Sequence, residues 1–287
     1  NPLYFGFTEI TDHISPSIRN IAFSPLDFDS RINGRFDDVI YNIKNNDFDE
    51  KDTVFVQGKF HINIDAIDKL NGARNNNGIA RIEAQLDGNT FYNMIVDQFS
   101  FGHTRMLNEH INYRIYKDYG RRYYKLKFNN QNKLGFYKTY LNNGELQIND
   151  NNSHQLRIIV YDNFENTSTI NINIKRGNFI VYPQVEHTRP QYEVIGHTMK
   201  VSIPSEKEIP IKAMAFQKEK NINPAYRTKT NTVYLIDLNT IVPNKVTLDS
   251  TIFSFPFAHF VHPGKSYYFR HDKWKINIPK GAFYNSF

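Results

Sequence analysis

The chain has 287 residues, of which 40% are hydrophobic and 22% charged, a composition typical of a folded protein of about two domains. It contains no Cys, which excludes disulfides, thiolate zinc sites and a Cys nucleophile. The net charge of +6 is modest for this length and does not by itself indicate an anionic partner. No apolar run approaches the ~20 residues that span a bilayer, so we expect a chain that is not itself transmembrane.

The first residues include neither an initiating Met nor the charged and apolar segments of a signal peptide. The chain starts at Asn1 and stops at Phe287, immediately after an apparent strand. We therefore interpret it as an internal piece of a longer protein.

Alternation of apolar and polar residues is the main pattern. It covers residues 60–65, 82–96 and 156–174 and is typical of strands with one buried face. Asp87-Gly88 and residues 162–166 interrupt two of these stretches with the residue types of tight turns. The pattern therefore predicts several strands and at least two hairpins.

Helical patterns are sparse. The best one covers residues 104–117, where apolar residues recur every four positions from Leu107 to Ile115. Thr104 is a candidate N-cap for this helix and Gly120 a candidate end. We expect one short helix here in an otherwise β-rich chain.

Many short strands with polar turns predict a mainly β protein, with two or more Ig-like β-sandwich modules in tandem. The first domain is predicted to cover residues 1–176, with long insertions, and the second residues 177–287. A segment from about residue 270 could end the second module or open a third one.

The ten His residues do not show the spacing of a zinc site. His103 and His110 are not four apart on one helical face, and on a strand His259 and His262 would point to opposite faces. Neither a His-Glu-x-x-His nor a His-x-His sequence is present. We expect no catalytic residue, metal ligand or cofactor-binding residue in this chain.

Asp65, Asp68, Asn71 and Gly72 are similar to part of a calcium loop, but the EF-hand spacing and its closing Glu are missing. Turn chemistry explains these residues better. A calcium site at the edge of a sandwich, formed by Asp65, Asp68 and Asp162, is the alternative.

The densest basic stretch is interleaved with aromatic residues. Its members are Arg121, Arg122, Tyr123, Tyr124, Lys125 and Lys127. Such a strip could bind an anionic partner, either a nucleic acid or an acidic glycan or lipid headgroup. We favour a strand with an outward basic face, and we expect no nucleic-acid partner because no signature motif of such binders is present.

Motifs of catalysis are also missing. The chain has neither a G-x-S-x-G nucleophile elbow nor a G-x-x-x-x-G-K-[ST] phosphate loop. This favours a binding or scaffolding segment over an enzyme.

Several sequence segments, in order and with matching spacing, resemble the region downstream of the catalytic domain in large lysostaphin-type zinc metallopeptidases (family M-twenty-three) of Bacteroidota. The matching segments are residues 1–7, 15–18, 67–73, 78–83, 87–88, 99–101, 104–105, 108–113, 132–134, 153–156, 161–168 and 278–284. The resemblance is strongest from Asn1 to Lys175.

The resemblance implies a parent protein of the periplasm or outer membrane that cleaves peptide cross-links in peptidoglycan. In that family a His, an Asp and a His-x-His pair hold zinc and an activated water. None of those motifs is present here, so the resemblance implies that the zinc and the catalytic domain would precede Asn1.

Three functions follow as hypotheses. The first is a non-catalytic accessory region of a cell-envelope peptidoglycan endopeptidase, which positions the enzyme or docks a partner. The second is a structural subunit of an outer-membrane assembly derived from a degenerate peptidase. The third is a carbohydrate-binding module for peptidoglycan, in which Tyr residues or Trp274, the single Trp, stack on sugar rings. The expected partners are therefore peptidoglycan or envelope proteins.

Overall fold

The computed structural model describes residues 6, 10–44, 48, 53–98, 100–177, 188–215, 218–249, 251–256, 259–262 and 264–283. In chain order the strands are β1 (Ser17–Pro25), β2 (Arg31–Ile32), β3 (Val39–Asn42), β4 (Thr53–Gln57), β5 (Lys59–Ile67), β6 (Arg81–Leu86), β7 (Asn89–Ile95), β8 (Tyr124–Lys125), β9 (Tyr137–Tyr140), β10 (Leu146–Gln147), β11 (Ser153–Tyr161), β12 (Thr167–Arg176), β13 (Gln191–Ile195), β14 (Thr198–Pro204), β15 (Ile211–Ala215), β16 (Lys218–Ile222), β17 (Pro224–Arg227), β18 (Asn231–Asp237), β19 (Lys245–Leu248), β20 (Thr251–Ser254), β21 (Tyr267–His271) and β22 (Trp274–Ile278). The described helical elements are α1 (Leu107–His110), α2 (Tyr113–Tyr119) and 3-10 helices at Phe101–Met106 and Leu141–Gly144. The predicted mainly β class, with sandwich modules and little helix, is confirmed.

The chain divides into two compact units. The first unit contains residues 1–25 and 37–177, and the second contains residues 26–36 and 178–287. Residues 26–36 were predicted to belong to the first domain, whereas here they belong to the second unit. Phe36 explains this: it is fully buried with Tyr226 and Val233, and its backbone N–H donates to the Tyr226 hydroxyl at 3.1 Å.

The first unit is built from two sheets. In the first sheet the strand order is β10-β5-β1-β3, and β8 also pairs with β5. In the second sheet β4, β12, β11, β6, β7 and β9 follow one another, and only the β12–β4 pair among these is parallel. Both predicted hairpins are confirmed, as β6–β7 and β11–β12. In the first hairpin, Asp87 and Gly88 have φ values of 51° and 80°, which the Asp-Gly pair accommodates.

Strand β5 is buried on both faces. Every residue from Phe60 to Ala66 is buried, including the polar residues His61, Asn63 and Asp65. Alternation alone predicts that this polar face meets solvent. It is covered instead, so the first unit has a second interior that is rich in polar groups.

Helix α2 contributes to that cover. Its residue Ile115 is fully buried in a cluster with Ala22 of β1 and with Tyr123. Asn112 precedes the helix, accepts from the Ile115 N–H at 3.3 Å and donates to Asn63 Oδ1 at 3.0 Å. One side chain therefore caps the helix and satisfies a buried amide of the sheet.

The predicted helix at residues 104–117 is present as two short α-helices with a break between them. Ile111 is extended and forms a bridge with Tyr124, so it does not share a helical face with Ile115. The predicted Thr104 cap is wrong: Ser100 caps the 3-10 helix at Phe101–Met106 and Asn112 caps α2, whereas Gly120 ends α2 as predicted, with φ of 68°. None of the described helices has the length and apolar character needed to cross a membrane.

The second unit is an antiparallel sandwich. One sheet has the order β13-β14-β18-β17 and the other β16-β15-β19-β20. Alternate residues of both sheets, such as Val201, Ile236 and Val246, form a common core with exposures of 1% or less. The hairpin β21–β22 forms a separate two-stranded sheet. Whether that hairpin opens a third module stays a prediction.

Candidate metal centre

Three buried carboxylates converge in the first unit. Asp12, Asp68 and Asp162 each offer one carboxylate oxygen, and these oxygens lie within 4.8 Å of one another. The three residues are only 4%, 4% and 2% exposed. Among the described residues this is the one group of three or more His, Cys, Asp or Glu side chains that could hold a metal ion.

Three distant segments position these carboxylates. Asp12 lies in the segment before β1, Asp68 directly follows β5, and Asp162 directly follows β11. Asp68 is held by a two-way backbone bridge with Asn77, with N–O distances of 3.1 and 2.8 Å. Two strand ends and the segment before β1 thus bring the three side chains together.

The Asp162 carboxylate is fully engaged by its own turn. Its Oδ1 accepts from the backbone N–H groups of Phe164 at 2.7 Å and Asn166 at 2.9 Å. Its Oδ2 accepts from the Asn166 side-chain amide at 2.7 Å. Asp turns of this kind fix the side chain against the backbone, so this carboxylate has a defined position.

The Asp12 carboxylate joins the N-terminal segment to the loop after β5. Its Oδ1 accepts from the Asn71 N–H at 2.9 Å and, more weakly, from the Ile14 N–H at 3.3 Å. The Asn166 amide also donates to the Asp12 carbonyl at 3.1 Å. The Asp12 and Asp162 segments are therefore connected directly.

Two oxygens of the cluster have no hydrogen-bond partner. They are Asp12 Oδ2 and Asp68 Oδ1, and both are buried. Among the described residues, no Lys, Arg or His forms an ion pair with any of the three carboxylates. Burial raises the pKa of Asp68, and the negative charges of Asp162 and Asp12 raise it further.

An oxygen-only donor set of this kind fits a hard cation such as Ca²⁺ or Mg²⁺. It lacks the His or Cys ligands usual for zinc. Because the three residues are almost fully buried, the arrangement is suited to holding an ion rather than to presenting a metal-bound water to a large substrate.

The calcium set that the sequence offered as an alternative differs from this cluster in one member. Asp68 and Asp162 are brought together, but Asp65 is not part of the cluster. Its carboxylate, which is fully buried, forms an ion pair with Arg19 and accepts from Asn20 Nδ2 at 2.7 Å. Asp12 takes the third place. It was missed because it precedes β1, in a stretch with no periodic pattern.

The basic strip does not form one exposed surface. Lys125 is mostly buried and pairs with Glu109 at 2.6 Å, and Lys127 pairs with Glu145 at 2.9 Å. Burial lowers the pKa of Lys125. Of the aromatic members, Tyr123 is 2% exposed and Tyr124 half-buried.

Arg121 and Arg122 are the exposed members of the strip. The Arg121 guanidinium lies 4.0 Å from the Asp65 carboxylate. Binding of an anionic partner therefore stays a prediction for these two residues, without the stacking platform that the sequence suggested.

His154 forms a cluster that the sequence analysis did not identify. Its Nδ1 lies 2.6 Å from Asp87 Oδ2 and its Nε2 lies 3.1 Å from Asp150 Oδ1. The hydrogen bond with Asp87, followed by the contact with Asp150, raises the pKa of His154. Both carboxylates lie on loops next to β11, and a spacing of four residues between Asp150 and His154 was the available signal.

His110 has the opposite environment. It is buried against the rings of Tyr124, Phe136 and Tyr137, and its Nδ1 lies 3.3 Å from the Tyr137 hydroxyl. Burial, with a smaller contribution from the Lys125 charge, lowers the pKa of His110 to about 4. This His is a neutral core residue at physiological pH.

Comparisons of this chain with protein-family models, with curated proteins and with solved structures return no match. A function must therefore be argued from the geometry of the chain itself.

Proposed function

We propose that this chain is a non-catalytic interaction region of a cell-envelope protein of the peptidoglycan endopeptidase type. In this role it positions the enzyme or docks a partner in the periplasm or at the outer membrane. The non-catalytic part of the proposal is supported by the one group of candidate metal ligands among the described residues, which contains three buried Asp and no His. A solvent-accessible zinc–water site of the kind that cleaves peptide bonds requires different ligands. The envelope and peptidase context comes from the sequence resemblance, which is strongest from Asn1 to Lys175.

Peptidoglycan is the partner that one exposed feature favours. The hairpin β21–β22 presents Trp274, which is 70% exposed, and Tyr268, which is 63% exposed. Trp274 pairs with His271 and Tyr268 pairs with Asn277, so the two rings lie on opposite faces of the hairpin and each would contact a sugar separately. Exposed aromatic rings flanked by polar side chains are suited to stacking on sugar rings and bonding to their hydroxyls.

Sedimentation with purified peptidoglycan tests this proposal. The chain is expected to pellet with the polymer at low salt, and Trp274→Ala to pellet several-fold less. Tyr192→Ala is the matched control, because Tyr192 is a 41% exposed aromatic residue of the same unit but lies on β13. The same samples, supplied with zinc, are expected to release no soluble muropeptides.

Two results would count against the proposal in different ways. If neither the wild type nor the control pellets, peptidoglycan is not the partner. The chain would then be expected to dock envelope proteins, such as subunits of an outer-membrane assembly. If the purified chain releases muropeptides, the non-catalytic role is wrong in every form.

A further inference from the structure

We propose that Asp12, Asp68 and Asp162 bind one Ca²⁺ ion that fastens the segment before β1 to the loops that follow β5 and β11. This inference does not depend on the proposed interaction with peptidoglycan. It rests on the position, burial and hydrogen bonding of the three carboxylates.

The cluster concentrates negative charge in a buried place. The three carboxylates have oxygens within 4.8 Å of one another, and the residues are only 4%, 4% and 2% exposed. Buried carboxylates are normally paired with a cation or fully hydrogen-bonded, because an unpaired buried charge is costly. Asp65, in the same unit, follows that rule through Arg19. The cluster itself has no such partner among the described residues.

Two carboxylate oxygens of the cluster lack a hydrogen-bond partner. Asp12 Oδ2 and Asp68 Oδ1 are buried and accept no hydrogen bond. Asp162, in contrast, already accepts three hydrogen bonds. The cluster thus consists of one carboxylate fixed by its turn and two that each hold a bare oxygen available for a ligand.

The separations between the oxygens of the cluster suit Ca²⁺ better than Mg²⁺. Ca²⁺ binds oxygens at ~2.3–2.6 Å, so ligands across one ion lie up to roughly 5 Å apart, which accommodates the separations in this cluster. Mg²⁺ needs ~2.0–2.1 Å and near-ideal octahedral geometry, usually with several retained waters. A buried site assembled from three separate segments meets the requirements of Ca²⁺ more easily.

The consequence is a cross-link between distant parts of the chain. Asp12, Asp68 and Asp162 come from three segments that are far apart in sequence. The described part of the segment before β1 is also held by hydrogen bonds from Asn71, from Asn166 to the Asp12 carbonyl and from Ser168 to the Pro16 carbonyl. A bound ion would stabilise the folded state of the first unit by mass action and would hold that segment in place.

Calorimetric titration and thermal unfolding of the full chain, first stripped with EDTA, test the proposal. We expect one Ca²⁺ per chain. At free Ca²⁺ about a hundredfold above the dissociation constant, the first unit should melt about 5 to 10 °C higher. Mg²⁺ is expected to bind at least tenfold more weakly.

Asp68→Asn provides the sharpest variant. It should lose Ca²⁺ binding and the melting shift. In EDTA it should melt at or above the wild-type temperature, because one of three mutually repelling carboxylates is removed. A purely structural role for Asp68 predicts the opposite, a lower melting temperature in EDTA that Ca²⁺ does not affect.

Asp97→Asn is the matched control, since Asp97 is a 44% exposed carboxylate of the same unit, paired with Lys138. It should keep the full response to Ca²⁺. Asp12→Asn is the second ligand variant and should also lose the response, which keeps the test informative if Asp68→Asn does not fold. No heat and no melting shift with Ca²⁺ in the wild type, or a response retained in the ligand variants, would overturn the site; equal affinity for Mg²⁺ would overturn the choice of ion.

Discussion

The two units bury different kinds of residues. Among the described residues, the buried carboxylates and imidazoles all belong to the first unit: Asp12, His61, Asp65, Asp68, His110 and Asp162. The second unit buries apolar side chains together with a few neutral polar ones, such as Thr198 and Thr232. The stability of the first unit should therefore depend on pH and cations, whereas that of the second should depend mainly on packing.

The largest expected effect is in the second unit. Ile236→Ala removes a fully buried side chain from the common core of the two sheets and should lower the free energy of unfolding by about 4 kcal/mol. Hydrogen exchange of each unit, measured by mass spectrometry, gives this value separately for the two units.

The decrease in the free energy of unfolding caused by Ile236→Ala should be the same at pH 7 and pH 5 and unaffected by Ca²⁺, because no ionisable group is involved. Ile252→Ala, at a 59% exposed position of β20, is the control and should change little. A loss that depends on pH would contradict the contrast between the units.

The next effect compares one ion pair from each unit. Arg19→Met leaves the Asp65 carboxylate, which is fully buried, without its main cation and should cost the first unit about 3 kcal/mol. Lys200→Met removes the partner of Glu193, whose side chain is 33% exposed, and should cost the second unit at most about 1 kcal/mol. Denaturant unfolding, with hydrogen exchange followed separately in each unit, measures both losses of unfolding free energy. Equal losses would mean that burial of the carboxylate does not determine how much its ion pair stabilises the fold.

Acid should destabilise the first unit selectively. His110 has a folded-state pKa of about 4, below its unfolded value near 6.5, so the unfolded chain binds more protons between these values. The free energy of unfolding is therefore at its full value above pH 6.5. It falls as pH falls, by about 2 kcal/mol between pH 7 and pH 5. Burial likewise lowers the pKa of His61, which adds to the loss in the same direction.

His110→Phe tests the assignment of that acid sensitivity. Phe keeps the ring contacts with Tyr124, Phe136 and Tyr137 but cannot be protonated. The variant should lose about 2 kcal/mol less between pH 7 and pH 5 than the wild type does. An unchanged pH dependence in the first unit, or an equal acid loss in the second, would contradict the prediction.

The same contrast explains which features the sequence could predict. In the first unit, strands and hairpins follow from local alternation and from the Asp-Gly turn, so the sequence predicts them. The polar face of β5 is different, because its burial depends on α2 and Tyr123, which are about fifty residues away in sequence.

The carboxylate cluster shows the same limit. Asp68 and Asp162 follow predicted strands, so their proximity at one edge could be suggested from the order of the strands. Asp65 and Asp68 look equivalent in sequence, and only the position of Arg19 on the neighbouring strand shows that Asp65 is already paired. Asp12 lies outside any periodic pattern, and its place is determined by contacts with Asn71 and Asn166.

The smallest expected effect concerns His154, which should oppose His110 within the same unit. Its pKa is raised, first by the hydrogen bond with Asp87, so its contribution to stability is complete below the unfolded pKa near 6.5 and is lost as pH rises through the folded value. Because the Asp87 and Asp150 side chains are about half exposed (47% and 54%), solvent and salt screen the interaction, and the buried His110 should dominate the pH response. His154→Gln should therefore lower the melting temperature of the first unit slightly at pH 5.5 and have still less effect at pH 8. A difference between variant and wild type that grows towards pH 8 would mean that the imidazole acts through packing rather than through its charge.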